Sequence, residues 1–145
     1  MGFDVTVEDV SHPVRACRRC IQRDHESIVD GIDYCADMVS KSWDGTHTTD
    51  RKRVVQPMRS ALESAGILEQ LPIVLADSVE SAGYELSATP VPAPPYVVLT
   101  SQGPICRATV GPGRILIRFD VFDIARDPEP VYQRRDGVQV SVSLE

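Results

Sequence analysis

The sequence predicts an α+β fold in which three N-terminal helices pack on one face of a C-terminal antiparallel β-meander. Two observations point to it. Apolar residues recur at three- and four-residue spacing over the first part of the chain, then alternate with polar ones from about residue 96 onward. Between the two regimes stand Pro90, Pro92, Pro94 and Pro95, a density of proline that neither a helix nor a central strand tolerates. A chain of 145 residues has the size of one domain. Residues 1–145 therefore read as a single domain, with a helical half over about 11–83, a proline-rich connector over 90–95 and a β half over 96–145.

Taken in order, Phe3, Val5 and Val10 suit a short edge strand or an ordered arm. Ser11-His12-Pro13 opens a helix, with a polar cap followed by a proline in the first turn, where its missing N–H costs nothing. Val14, Cys17, Ile21, Ile28, Ile32, Cys35 and Val39 fall on one stripe, so the spacing predicts one long helix to about Trp43, ended by Asp44-Gly45. A second helix is expected from about Thr49 to Ala65, where Pro57 either kinks it or lies in the first turn of a shorter one. A third runs from Pro72 to Ala82. Gly66 and Gly83 are the expected C-terminal stops, each followed by an apolar residue that folds back on its helix.

Tyr84 to Ala88 reads as a strand. After the connector, Tyr96–Thr100, Ile105–Val110 and Arg114–Ile124 read as successive strands joined at Ser101-Gln102-Gly103 and Gly111-Pro112-Gly113. Val131–Arg134 and Val138–Leu144 read as a hairpin turning on Asp136-Gly137. In the long strand, Ile115, Ile117, Phe119 and Val121 make a core face. Leu116, Arg118, Asp120 and Phe122 make the opposite, open face.

Composition narrows the function classes. Hydrophobic residues at 42% and charged ones at 25% exclude a disordered or fibrous chain. No apolar run approaches the ~20 residues of a membrane helix. The first ten residues carry acids and no basic region, so a cytoplasmic protein is expected. Net charge is −6, and of the 15 basic residues only Lys41 and Lys52 are lysines. That bias fits a salt-adapted proteome or codon usage alone.

Cys17, Cys20, Cys35 and Cys106 are expected as four reduced thiols, with no metal and no cofactor. The Cys17-Arg18-Arg19-Cys20 motif lies inside the predicted helix rather than at the N-terminus that a redox pair wants. Along a continuous helix Cys35 would stand about 27 Å from Cys17, too far to complete a zinc site.

Asp24 falls inside the apolar arc of the first helix, where a carboxylate is paired with an arginine, faces a cavity, or marks the edge of contact. Arg118, Asp120 and Phe122 on the open face, joined by Arg107 and Tyr132 from neighbouring strands, make either a ligand or subunit contact or a wet cross-strand charge pair. The arginines of the first helix are followed closely by Glu26, Asp30, Asp33 and Asp37, which argues against a nucleic-acid surface. His12, His25 and His47 have no metal spacing, and Gly111-Pro112-Gly113 is followed by a strand rather than the helix of a phosphate loop.

The stretch from Pro95-Tyr96-Val97-Val98-Leu99-Thr100-Ser101 to Arg114-Ile115-Leu116-Ile117-Arg118-Phe119 resembles small uncharacterised proteins of halophilic archaea. The resemblance implies an origin and carries no site residues. In element order the chain also resembles the cone-shaped nuclear-transport-factor-like fold, which implies a pocket between helix and sheet and says little about function. The function expected is a non-catalytic binding or regulatory module acting as a homodimer through the open sheet face. The alternatives are a small enzyme or small-molecule binder with a pocket between the long helix and the sheet, and a nucleic-acid binder.

Overall fold

The computed structural model describes residues 12–126 and 128–145. The expected arm at Phe3 to Val10 and the Ser11 cap lie outside the described residues. Four helices precede the main strands: α1 (His12–Asp24), α2 (Glu26–Lys41), α3 (Val55–Ser64) and α4 (Ile67–Ser81). A two-residue strand β1 (His47–Thr48) follows α2, and a 3₁₀ turn over Arg51–Arg53 leads into α3. The sheet is completed by β2 (Val97–Thr100), β3 (Gly103–Val110), β4 (Gly113–Arg126) and β5 (Pro130–Leu144). Its order is β1-β5-β4-β3-β2, antiparallel throughout. The α+β class and the antiparallel sheet are as expected from the sequence.

The helical half departs from expectation at two places. The single long helix is broken at His25, whose backbone (φ −129°, ψ 25°) leaves the helical region. The His25 ring reaches across to α4, with Nε2 2.9 Å from Asp77 Oδ2. Beyond the break, Gly31 lets α2 close on α4; a Cβ there would lie 2.5 Å from Ile67 Cδ1. Stripe spacing alone does not register such a break, because both segments bury the same face.

The second departure is α4, which begins at Ile67 and runs through Pro72 instead of starting there. Ile67, Leu68, Leu71, Val74 and Leu75 are all buried, so burial of the preceding turn outweighs the backbone bond that a proline forfeits. Pro57, by contrast, lies in the first turn of the shorter α3. Both glycine stops stand where expected, with φ of 75° at Gly66 and 89° at Gly83. After α4 the Tyr84 N–H returns to the Val79 carbonyl at 3.1 Å.

Residues 84–88 form no strand. Asp136-Gly137 is not a hairpin either. β5 pairs with β4 along its whole length, from Arg126↔Pro130 to Ile115↔Leu144. The register slips between Asp120↔Gln139 and Phe122↔Arg134, so four β5 residues bulge opposite Val121. Gly137, at φ 83°, lies within that bulge. The Asp-Gly pair bends a strand where sequence pattern suggested that it reversed the chain.

Helices α1 and α2 lie against β5 and α4 lies against β3. The space between is filled: Ile32, Met58, Leu62, Leu75, Ile117, Phe119 and Phe122 are each fully buried in one cluster. Trp43 joins it, its ring centroid 5.6 Å from that of Phe122 and its Nε1 donating to the Arg53 carbonyl at 2.9 Å. These side chains form one continuous core between the helices and the sheet.

Candidate functional site: the outer face of the sheet

Strand alternation sends Ile115, Ile117, Phe119 and Val121 into the core and turns Leu116, Arg118 and Asp120 outward. Cross-strand register places Ile105 opposite Arg118, Arg107 opposite Leu116, and Val98 opposite Ile105. The outer face thus carries three half-buried aliphatics, Val98, Ile105 and Leu116, beside Arg107, Arg118 and Asp120.

Arg118 is the centre of its polar part. Its Nη2 donates to Gln102 Oε1 at 3.0 Å and reaches Asp120 Oδ1 at 3.4 Å, while its Nε is buried with no acceptor. Asp120 is the less exposed of the pair, with 16% of its side chain accessible against 36% for Arg118. The pair tethers two residues on one strand face and fixes the fork of the guanidinium. On β5 the same face presents Ser141 opposite Arg118 and Gln139 opposite Asp120.

Two of the residues expected on this face are elsewhere. The N–H groups of Val121 and Phe122 both donate to the Gln102 carbonyl, at 2.8 and 3.1 Å, which makes a bulge in β4. The bulge resets the alternation, so Val121 and Phe122 are both buried and Phe122 belongs to the core. Tyr132 is buried too, opposite Ile124 on β4 and Thr48 on β1.

Asp24 ends α1 in solvent rather than in a cavity. Its carboxylate pairs with the neighbouring Arg23 at 3.2 Å, and hydrogen bonding from that guanidinium holds it below the ordinary carboxylate range.

The cysteines serve packing. The Cys17 thiol donates to the Ser78 carbonyl at 3.2 Å, and burial, with Cys20 beside it, pushes it up to about 11. Burial alone pushes Cys106 up to about 12 and raises Cys35. Thiols so shifted are protonated and unreactive at neutral pH. All four are free and buried, and among the described residues no group of three His, Cys, Asp or Glu is arranged to hold a metal.

A cluster that the sequence did not reveal surrounds Arg134. Its Nε donates to Asp37 Oδ1 at 3.1 Å, and its Nη2 to the Asp33 carbonyl at 3.0 Å and the Asp33 carboxylate. Its Nη1 meets the carbonyls of Val121, Arg135 and Gly137 at 3.2, 2.8 and 3.1 Å. One guanidinium therefore locks α2 to both bulged strands. Asp33 and Asp37 are about a hundred residues away in sequence, and the i,i+4 spacing of those two acids on α2 was the sole local sign of a shared partner.

No helix among the described residues is long and apolar enough to cross a membrane. No curated protein and no solved structure matches the chain. A family match does exist, spanning residues 15–145 and so all of the helices but the start of α1 and every strand of the sheet. The chain belongs to the family described as a domain of unknown function, DUF7988.

Proposed function

We propose that this protein is a non-catalytic binding or regulatory module of the cytosol that works as a homodimer paired through the outer face of its sheet. The observation that carries the reading is the row of half-buried aliphatics, Val98, Ile105 and Leu116, set beside a constrained Arg118–Asp120–Gln102 cluster. An apolar patch bordered by an oriented ion pair suits a self-complementary contact, because two-fold pairing lets one surface cover itself. The Arg118–Asp120 pair would set register more than affinity. Reduced, buried thiols suit the cytosol. The arginine-for-lysine bias supports an origin in a salt-adapted organism such as a halophilic archaeon.

Light scattering of the intact protein tests this reading and should return twice the chain mass. Leu116→Asp should return a monomer with unchanged circular dichroism. A wild-type protein that is monomeric at tens of micromolar would remove the proposal.

A further inference from the structure

β2 ends short of β3. Its pairing stops at Val97 opposite Cys106, with one further bond from the Arg107 N–H to the Tyr96 carbonyl at 2.9 Å. Beyond that point β3 continues to Val110 with, among the described residues, β4 on one side only. In an antiparallel strand alternate residues turn N–H and C=O to the same side. Thr109 therefore aims its N–H the way Arg107 does, and no β2 residue stands opposite it. The vacancy, bordered by residues 86–88 and by Pro95, is a cleft of about 260 Å³.

The charged lining of this cleft is of one sign. Arg107 and Arg114 line it, Ser87 and Thr109 add hydroxyls, Leu86 and Pro95 supply apolar wall, and no carboxylate is among its described lining residues. Arg107 is already oriented, its Nε donating to the Pro95 carbonyl at 2.9 Å. Arg23, Arg118, Arg134 and Arg135 pair with carboxylates, whereas no ion pair among the described residues involves Arg107 or Arg114. Glu145 is the acid closest in register, bonded to Arg114 through backbone N–H and carbonyl groups at 2.9 and 3.0 Å, yet its carboxylate forms no ion pair with that arginine. In a chain of net charge −6 an acid-free recess holding two such guanidiniums is a local reversal of sign.

We infer that this cleft binds a small organic oxyanion, a carboxylate or a phosphate monoester. The anionic group would sit on Arg107, Arg114 and the Thr109 N–H, with the short apolar body against Leu86 and Pro95. Planar guanidinium forks match both oxyanions bidentately, and a strand N–H left without a partner adds a directed donor. The volume suits a small ligand, since sites for drug-sized molecules span roughly 300–1,000 Å³. The cleft borders the proposed dimer face, sharing Arg107 with it, since Arg107 stands opposite Leu116, whereas Arg114 lies at the far end of β3 and β4, opposite Thr109.

Amide chemical shifts of the full chain, titrated at constant ionic strength with inorganic phosphate and separately with benzoate, test it. The expected result is saturable shifts confined to the neighbourhood of Ser87, Arg107, Thr109 and Arg114 with one probe or both. A response to phosphate alone assigns a phosphate monoester, and a response to benzoate alone a carboxylate. R107Q/R114Q should weaken binding by about tenfold or more, and Arg114→Gln alone, away from the Leu116 patch, should weaken it several-fold while its mass by light scattering stays that of the wild type. Should the loss of the Pro95 anchor perturb folding of the double variant, the single variant decides. Non-saturating titrations with both probes, shifts spread over the other arginines, or binding unchanged in the arginine variants would overturn the inference.

Discussion

Replacing Arg134 with alanine removes a guanidinium that ties α2 to the bulges of β4 and β5. Its side chain is only 14% exposed, so the contact is largely dry. The Asp33 and Asp37 side chains are 42% and 49% exposed, and once released they rehydrate, so each ion pair contributes only about 0–1 kcal/mol. The carbonyls matter more. Val121 is fully buried, and its oxygen would lose a charged donor along with those of Arg135 and Gly137. A carbonyl left unsatisfied costs about 1–3 kcal/mol, less wherever water can enter, which sets the expected loss at about 2–4 kcal/mol. For a chain of this size that corresponds to a fall in Tm of about 5–15 °C.

Thermal and urea unfolding of Arg134→Ala should show this. Arg134→Met, which keeps the stem packing, should recover little of it. Arg134→Lys should recover less than half, because one ammonium cannot serve both helix and bulge. A Tm within 2 °C of wild type would refute the assignment of Arg134 as the lock between helix and sheet.

Phe122→Ala should destabilise by about 3–5 kcal/mol in urea titrations, as a large aromatic leaves a cavity beside Trp43; a near-neutral result would return Phe122 to the outer face. The thiols should resist a thiol reagent at neutral pH in the folded protein and react fully in denaturant. Rapid labelling of Cys17 or Cys106 in the native state would contradict their burial. The same thiols give stability an alkaline limit. Unfolded, they ionise near 9.0, whereas folded Cys17 and Cys106 hold their protons to about 11 and about 12. The unfolded state therefore binds fewer protons above pH 9, and stability present below that pH is lost as pH rises toward 11 to 12. Urea midpoints should fall across this window, and less steeply in Cys106→Ala than in wild type.

Much of the architecture was legible because it rests on short-range physics. Helical spacing found the stripe from Val14 to Val39, left-handed glycines marked the ends of α3 and α4, and alternation put Ile115, Ile117 and Phe119 inside and Leu116, Arg118 and Asp120 outside. Arg107, Arg118 and Asp120 do share one face for that reason. Each of these signals depends on φ/ψ preference or on a period of 3.6 or 2, which a few neighbouring residues settle.

What the tertiary structure alone decided lies where long-range contacts outweighed those preferences. Helix α4 runs through Pro72 because the turn before it buries Ile67, Leu68 and Leu71. The first helix breaks at His25, which meets Asp77 on another helix. One residue of bulge, held by the Gln102 carbonyl, carries Phe122 from the outer face into the core and so changes which residues the outer surface offers. Asp136-Gly137 bends β5 within the bulge that Arg134 secures to α2. A strand's period is two, so a single inserted residue inverts every side chain beyond it. That insertion is held by Gln102 on another turn and by Arg134, whose own partners on α2 lie about a hundred residues away, and no local pattern is sensitive to either.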